Sequence, residues 1–242
     1  MLKISNISYK YSDFSLNDIN FKMNSGEVLG LYGANASGKS TLIKLISHEY
    51  ERQSGEIYFN NQYDYRYEMA YIPSYFPFKE SYTINNIRKI MKFTYRFWDD
   101  SKFDEYLNRY ELKKEMKVKK MSLGQRQKLM MVLAMSYGAK LLILDEPSEG
   151  IDPFLRTEII NDLRQYIYDN NANLIIATHE LEAYESLLDH IIYLENGEAI
   201  INCDIINFPS NAREILKLED ELLSIKDFSL ARQREMANVK NR

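Results

Sequence analysis

Gly33-Ala34-Asn35-Ala36-Ser37-Gly38-Lys39-Ser40 is the stretch that decides the fold of this chain. Its two glycines are separated by four residues and followed by Lys and Ser, which is the pattern of a phosphate-binding loop. An apolar run at residues 28–32 precedes it and predicts a buried strand, and residues 41–46 follow with apolar side chains at helical spacing. A strand, a glycine-rich turn and a helix start direct several backbone N–H groups and a helix dipole at one anion. The sequence therefore predicts a site for nucleotide phosphates.

Different parts of this loop are expected to hold different parts of the nucleotide. Lys39 is expected to reach the β- and γ-phosphates, and the Ser40 hydroxyl is expected to hold Mg²⁺. The other loop residues predicted to bind the nucleotide are Gly33, Asn35, Ala36, Ser37, Gly38 and Thr41.

Composition excludes several classes of protein. A formal net charge of −4 over 242 residues argues against a general nucleic-acid-binding protein, which usually has a strongly basic face. The sequence has no apolar run near the ~20 residues of a membrane-spanning helix, and no signal peptide is expected. Cys203 is the single cysteine, which is typical of a reducing compartment. We therefore expect a cytoplasmic protein, and attachment to a membrane through a partner stays open.

The spacing of apolar segments predicts an α/β fold. An unbroken apolar strand at residues 141–144 follows a helix expected over residues 123–136, and such alternation favours a mainly parallel sheet covered on both faces. Residues 2–32 alternate in the manner of half-buried antiparallel strands, and the Asn196-Gly197 turn predicts a hairpin. We therefore expect a phosphate-loop nucleotide-binding core with an N-terminal antiparallel β-subdomain.

A change in composition near Tyr75 divides the chain. Aromatic and basic residues dominate from there to Met121 in helical patterns, which predicts an inserted helical subdomain. The charged tail is expected to be helical to about Lys226 and to fray near its end. The predicted parts are the core at 1–74 and 122–208, the helical insertion at 75–121 and the tail at 209–242.

A second pair of functional groups follows the strand at residues 141–144. Asp145 and Glu146 lie at its C-terminal end, where ligands bind in open α/β sheets. Asp145 is expected to complete the Mg²⁺ environment, directly or through water, and Glu146 to orient or deprotonate the attacking water. His179 follows the next buried strand and is expected to contact the γ-phosphate and that water. The alternative is a solvated acidic pair and a structural or exposed histidine.

These motifs resemble those of the nucleotide-binding subunit of ATP-binding cassette (ABC) transporters over about residues 2–205. The family has a signature similar to Leu-Ser-Gly-Gly-Gln at a helix start, about twenty residues before the second acidic site. Here Met121-Ser122-Leu123-Gly124-Gln125 ends twenty residues before Asp145. Ser148-Glu149-Gly150-Ile151-Asp152 matches the family loop that crosses the dimer interface, and Tyr11 stands where the family stacks an aromatic side chain on adenine.

Two positions depart from the family pattern. Leu123 replaces a glycine of the signature, although Ser122 and Gly124 still offer a hydroxyl and a backbone N–H to a phosphate. Ser74 stands where the family usually has Gln, or sometimes Glu, in contact with Mg²⁺ and the attacking water. Serine is too short to make that contact directly, so Ser74 is expected to reach the metal only through a bridging water.

The resemblance implies an ATPase that uses ATP and Mg²⁺ and holds half of each active site. Ser122, Gly124 and Gln125 of a second cassette, identical or different, would cap the ATP bound to the first, with Asp152 at the interface. Bound ATP would join the two cassettes head to tail, and hydrolysis would release them. The expected partners also include polytopic membrane-spanning subunits, which would place the chain on the cytoplasmic face of the cell membrane.

Export is the expected direction of transport. An aromatic segment at residues 95–100, which contains Trp98, is similar to one in small exporter cassettes of Gram-positive bacteria, including those that move antimicrobial or toxic peptides. That segment either forms the insertion's own small core or docks a cytoplasmic helix of a partner.

Two other functions stay open. A soluble cassette of iron–sulfur cluster assembly would have the same motifs, and co-purification with a soluble scaffold rather than a polytopic membrane protein would identify it. A non-catalytic regulatory cassette is the other alternative. Intact Lys39, Glu146 and His179 argue against it, and an ATPase assay would decide.

Overall fold

Nine strands form two sheets in the part of the chain that this computed structural model describes, residues 1–147, 152–218 and 223–240. The strands are β1 (Leu2–Tyr11), β2 (Phe14–Met23), β3 (Val28–Tyr32), β4 (Glu56–Phe59), β5 (Met69–Ile72), β6 (Leu141–Asp145), β7 (Asn173–Ala177), β8 (His190–Glu195) and β9 (Glu198–Asp204). The smaller sheet has the order β2-β1-β4 and is antiparallel. The larger has the order β5-β6-β7-β3-β8-β9 and is parallel except for the β8–β9 hairpin. The predicted α/β fold is confirmed.

Seven α-helices accompany these strands in the described ranges. They are α1 (Lys39–Ile46), α2 (Ile84–Thr94), α3 (Asp100–Arg109), α4 (Leu123–Ser136), α5 (Pro153–Asn170), α6 (Phe208–Leu216) and α7 (Ile225–Lys240). Short 3₁₀ segments cover Arg66–Glu68, Val118–Lys120, Leu181–Leu187 and Ile205–Asn207. Among these helices, none combines the length and the apolar character needed to cross a bilayer.

The central sheet separates two apolar cores. Successive side chains of a strand point to opposite faces, and every residue of β3, β6 and β7 is buried. In β6, Leu142 and Leu144 pack into a core shared with α4 and α5. Leu141 and Ile143 pack into the other core, with α1 and the antiparallel sheet. Burial on both faces explains why these strands are unbroken apolar runs rather than alternating ones.

The segment at residues 75–121 contributes α2 and α3 and has apolar contacts of its own. The indole of Trp98 lies 5.2 Å from the ring of Phe103, centroid to centroid, and its N–H donates to Asp100 at 2.8 Å. Trp98 is thus partly buried against the apolar core, which agrees with the first of the two interpretations of the aromatic stretch for this residue. That interpretation does not hold for the neighbouring Phe97, which is half exposed.

A buried carboxylate of α5 joins that segment to the rest of the chain. Asp162 is 7% exposed and accepts a hydrogen bond from the Tyr110 hydroxyl at 2.6 Å. It also forms an ion pair with the guanidinium of Arg109 at the end of α3. The helical segment is thus held to α5 by charge and hydrogen bonding as well as by apolar packing.

The C-terminal tail differs from the sequence-based expectation. Helix is expected to end near Lys226, whereas α7 begins at Ile225 and continues to Lys240. Ile225 and Phe228 are fully buried, and Phe228 packs edge-on against the ring of Phe208 at 5.7 Å. Apolar side chains spaced along one face of this charged helix dock it on the core, which is why it does not fray at its start.

Candidate active site

The phosphate loop lies between β3, a central strand of the sheet, and the start of α1. Gly33 and Gly38 have φ angles of +151° and +117°, values that L side chains rarely adopt. A Cβ on Gly33 would lie only 2.2 Å from the carbonyl oxygen of Leu194. Both glycines are therefore required by backbone conformation, and at Gly33 also by the close approach of β8.

Lys39 is buried inside the loop that precedes it. Its Nζ donates to the carbonyl oxygens of Gly33 at 2.7 Å and Ala34 at 3.1 Å, and only 6% of the residue is exposed. Burial lowers the pKa of the ammonium group, whereas the carboxylates of Glu146 and Asp145 act to raise it. The loop thus presents a partly desolvated cation, and phosphate oxygens would be stronger acceptors for it than neutral carbonyls.

A cleft of about 400 Å³ opens at this loop and brings the predicted groups together. It is lined by Tyr11, Phe14, Asn35, Ala36, Ser37, Gly38, Lys39, Ser40, Thr41, Tyr50, Ser74, Asp145 and Glu146. A second cleft, of about 450 Å³, lies near Asn60 and Asn173. Its lining contains no glycine-rich turn at a helix start. The first cleft, although smaller, is therefore the candidate site for nucleotide phosphates.

Aromatic side chains form one wall of the cleft. Tyr11 ends β1 and is 66% exposed, so its ring is accessible to a flat ligand. Phe14 and Tyr50 also line the cleft, and Tyr50 stacks on Tyr9 with ring centroids 5.4 Å apart. Sequence reasoning found Tyr11 through the family resemblance and missed Phe14 and Tyr50. No motif marks those two residues, and the turn after β1 and the end of α1 bring them here.

Asp145 ends β6 and is buried, with 6% of the residue exposed. Burial raises its pKa to about 6, and the charge of the neighbouring Glu146 adds to the effect. Mg²⁺ in nucleotide sites is held by one or two carboxylates together with phosphate oxygens and water. The described residues contain no group of three or more His, Cys, Asp or Glu side chains placed to hold a metal. One carboxylate and the Ser40 hydroxyl on the same cleft therefore fit Mg²⁺ that arrives with a nucleotide.

Glu146 is fixed by contacts with the end of β7. Its φ is +50°, uncommon for a residue with a side chain, and its N–H donates to the carbonyl of Ala177 at 2.8 Å. Its Oε2 accepts from the Thr178 hydroxyl at 2.8 Å and lies 2.9 Å from Nδ1 of His179. Because an ionised carboxylate only accepts hydrogen bonds, Nδ1 carries the proton in this pair. The structure thus joins the two predicted catalytic residues, and Thr178, which sequence reasoning missed, orients the first.

Ser74 lies at the mouth of the cleft, just beyond β5. It is exposed and follows Pro73. Ser74 thus lines the same cleft as Asp145 and Glu146, with a side chain that would need a bridging water to reach a metal there.

The signature residues lie elsewhere. Ser122 caps α4, where its Oγ accepts from the N–H of Gln125 at 3.2 Å and Gln125 Oε1 accepts from the N–H of Ser122 at 3.0 Å. Leu123 is 54% exposed, so its side chain is accommodated without crowding. Ser122, Gly124 and Gln125 are not among the described residues that line the cleft of their own chain.

Of the predicted dimer loop, residues 148–151 lie outside the described residues. Asp152 is described and caps α5, where its side chain accepts from the N–H of Leu155 at 3.0 Å.

The family described as "ABC transporter" matches residues 16–149, more than half of the chain. The chain is 28% identical over 216 residues to the ABC transporter ATP-binding protein YtrB of Bacillus subtilis, which covers 87% of this chain and 70% of that protein. It is 29% identical over 208 residues to the lantibiotic transport ATP-binding protein SrtF of Streptococcus pyogenes, covering 83% of this chain and 90% of that protein.

Solved structures of ABC transporter cassettes have the same architecture as this chain. The structure of an ATP binding subunit of an ABC transporter superposes with a TM-score of 0.83 at 25% identity, over 95% of this chain and 98% of that one. A dimeric post-hydrolysis state of the cassette MJ0796, bound to ADP and Pi, has the same fold, with a TM-score of 0.74 at 22% identity over 85% of this chain and 99% of that one.

Proposed function

The chain belongs to the ABC transporter family and is an ATP-binding cassette ATPase, and from this premise we propose that it powers export through separate membrane-spanning subunits. The observation that carries the catalytic part is the convergence of the phosphate loop, Asp145 and Glu146 on one cleft. A buried cation, a set of loop amides and two carboxylates are what ATP hydrolysis requires in this class of site.

The proposed roles within one subunit follow the geometry of the cleft. Tyr11 stacks on the adenine base, and Lys39 neutralises charge on the β- and γ-phosphates. The other nucleotide-binding residues are Gly33, Asn35, Ala36, Ser37, Gly38, Ser40 and Thr41. Ser40 and Asp145 would hold Mg²⁺, whose charge would offset that of the phosphates.

Glu146 is proposed as the general base and His179 as its partner. The Glu146 carboxylate would accept a proton from the water that attacks the γ-phosphorus, as the bond to the leaving oxygen breaks. Thr178 and His179 hold that carboxylate in one orientation, which reduces the cost of positioning it for each turnover.

We further propose that two cassettes, identical or different, complete each site head to tail. The signature residues Ser122, Gly124 and Gln125 begin α4 at the surface and outside their own cleft, which suits a role toward ATP held by a second copy. Asp152 would lie at the interface. Enclosing the phosphates between two surfaces excludes water and strengthens every interaction with them.

The proposed transport partner is a polytopic membrane subunit, with the cassette on the cytoplasmic face of the membrane. The inserted helical subdomain at 75–121 would dock this partner, and the core would comprise 1–74 and 122–208, followed by the tail at 209–242. Similarity to a protein named for lantibiotic transport over 90% of its length supports export of a peptide or a drug.

Reconstitution would test this proposal. The neighbouring reading frames are first searched for one that encodes a polytopic membrane protein. The chain is then co-expressed with that protein, and ATPase activity is measured for the chain alone and for the complex in vesicles. We expect Mg²⁺-dependent hydrolysis in both and ATP-dependent movement of a peptide out of the compartment that holds the cassette. Isolation with a soluble cluster-assembly scaffold instead of the membrane protein would contradict the transport role, and absence of hydrolysis would contradict the catalytic one.

A further inference from the structure

The last described helix, α7, packs beneath the strand that leads into the phosphate loop. Phe228 of α7 lies edge-on to Tyr193 of β8 with ring centroids 5.0 Å apart, and Tyr193 lies edge-on to Tyr32 at 5.7 Å. Tyr32 ends β3 and directly precedes Gly33. The side chain of Ser229, itself 5% exposed, hydrogen-bonds with both tyrosines. A continuous buried contact therefore runs from α7 to the first residue of the loop.

An ion pair makes a second connection between α7 and β8. Nε and Nη2 of Arg232 lie 3.1 and 2.6 Å from the two carboxylate oxygens of Glu195, a bidentate arrangement. The two side chains are 20% and 11% exposed, so solvent screens this pair less than a surface pair. Glu195 is the last residue of β8, and the Asn196-Gly197 turn follows it.

That turn contacts the phosphate loop directly. The N–H of Gly197 donates to the carbonyl oxygen of Ser37 at 2.9 Å. Gly197 has φ of +82°, and a Cβ on it would lie 1.8 Å from the carbonyl oxygen of Ser15, so only glycine fits at this turn, which lies against β2. Its carbonyl oxygen also accepts from the N–H of Asn17 at 2.8 Å. The end of β8 and the turn after it therefore contact the phosphate loop at two places. Leu194 packs against Gly33, the first residue of the loop, and Gly197 is hydrogen-bonded to Ser37 near its middle.

We propose that α7 positions the phosphate loop for nucleotide binding, with Arg232 as a positioning residue that acts through Glu195 and the β8–β9 turn. ATP affinity then depends on the docking of α7. Because coupling between two equilibria is reciprocal, bound nucleotide also strengthens the docking of α7. This inference rests on the proposed nucleotide binding at the loop. It adds that the docking of α7 controls the affinity of the loop for ATP.

Equilibrium titration with a fluorescent N-methylanthraniloyl derivative of ATP would test the proposal on the full chain. Arg232→Ala is compared with Arg234→Ala, which removes an exposed arginine from the same helix. We expect Arg232→Ala to raise Kd and the KM for ATP about five- to tenfold, in the range of typical coupling between sites, with kcat at saturating ATP within about twofold. Arg234→Ala should leave Kd within about twofold.

Exchange of the charges provides a rescue. Arg232 also pairs with Glu235 at 2.8 Å, so the exchange is made together with Glu235→Gln to avoid a like charge one turn away. In that background Glu195→Arg with Arg232→Glu keeps an ion pair in reversed order and should recover part of the lost affinity, whereas Glu195→Arg alone should not. If Arg232→Ala does not fold, Arg232→Lys keeps the charge but loses the bidentate fork, with an expected rise in Kd of about two- to threefold.

Hydrogen exchange of α7 is the second measurement. The amides of α7 should exchange more slowly when ATP is bound to the wild-type chain, and this protection should shrink in Arg232→Ala. A variant that lowers Tm but leaves Kd and the KM for ATP unchanged would overturn the proposal, because α7 would then serve stability alone. A wild-type chain that binds no nucleotide would overturn the proposed function as well.

Discussion

Nδ1 of His179 lies 2.9 Å from Oε2 of Glu146, so the imidazole beyond β7 donates to the carboxylate at the end of β6. The Thr178 hydroxyl donates to the same oxygen at 2.8 Å. These two donors on one carboxylate oxygen fix its direction, whereas Oε1 accepts no hydrogen bond from the described residues. In the proposed role of Glu146, Oε1 is the oxygen that would receive the proton.

Glu146→Gln should bind ATP and hydrolyse it at least about 100-fold more slowly, since a positioned general base contributes roughly 10²–10⁴-fold. Steady-state phosphate release and nucleotide titration measure the two effects separately. Glu180→Gln, at an exposed residue paired with Arg156, is the matched control and should retain activity. Turnover near the wild-type rate in Glu146→Gln would remove Glu146 as the base.

Lys39→Ala should abolish ATP turnover and weaken nucleotide binding, because the buried ammonium is the cation aimed into the loop. Isothermal titration with ATP and a phosphate-release assay would measure both. Lys44→Ala removes another lysine of α1, which lies against the ring of Tyr50, and should retain most activity. Equal loss in the two variants would show a general effect of charge or stability on α1.

Ser74→Gln should leave hydrolysis intact or raise it. The glutamine side chain is long enough to reach Mg²⁺ and the attacking water from the mouth of the cleft, whereas the serine hydroxyl is not. Ser74→Ala serves as the control for loss of the hydroxyl. A large fall in kcat for Ser74→Gln would show that serine has a role of its own at this position.

Asp145→Asn should stabilise the metal-free, nucleotide-free protein at neutral pH. Burial and Glu146 raise the pKa of Asp145 from 3.8 to about 6, so its ionised form costs folding free energy above pH 6. Below about pH 4 the carboxyl is protonated in both folded and unfolded chains, and the cost vanishes. We expect a gain of about 1–3 kcal/mol at pH 7.5 that declines as pH falls from 6 to 4.

Thermal unfolding in the presence of EDTA, measured across that pH range, checks the expectation for Asp145→Asn. A gain that is constant with pH would mean that the titration of Asp145 is not its cause. With Mg²⁺ and ATP present the same variant should bind the metal–nucleotide complex more weakly.

Asp162→Ala should lower the free energy of unfolding by about 2–3 kcal/mol, because it leaves the buried Tyr110 hydroxyl without its acceptor and Arg109 without its buried carboxylate. Tyr110→Phe removes only one hydrogen bond and should cost about 1 kcal/mol. Asp169→Ala, an exposed change on α5, is the control. Urea unfolding provides the values, and equal stability of Asp162→Ala and Asp169→Ala would contradict this account.

Local chemistry made the centre of the site predictable. The loop from Gly33 to Ser40 carries its glycines where the backbone needs positive φ, and the apolar strand that precedes it is short and unbroken. Asp145 and Glu146 follow from the same logic, because a strand end in a parallel sheet places side chains at a known edge. The roles predicted for the signature residues and for Asp152 depended on the family resemblance, because the spacing of these residues alone does not indicate a phosphate-binding site.

Contacts between distant segments could not be read from the sequence. Thr178 reaches Glu146 only because β7 lies between β6 and β3 in the sheet, an order that differs from the order in the chain. The extent of helix in the tail was misjudged for a related reason. Helix was expected only to about Lys226, whereas α7 continues to Lys240, and the burial of Phe228 depends on a surface made by β8 and α6. Tertiary packing decided the outcome there, and local propensity did not.

The capping arrangement at Ser122 has a consequence for the speed of assembly. Its Oγ accepts the N–H of Gln125, and this bond does not consume the hydroxyl proton. The hydroxyl is therefore anchored on its acceptor side before any partner arrives, with its donor side available. In the proposed head-to-tail pair, a phosphate would meet a hydroxyl whose oxygen is already held by the cap, so less entropy would be lost on contact. On that proposal, closure of two such surfaces would be limited by diffusion and orientation rather than by rearrangement of the signature.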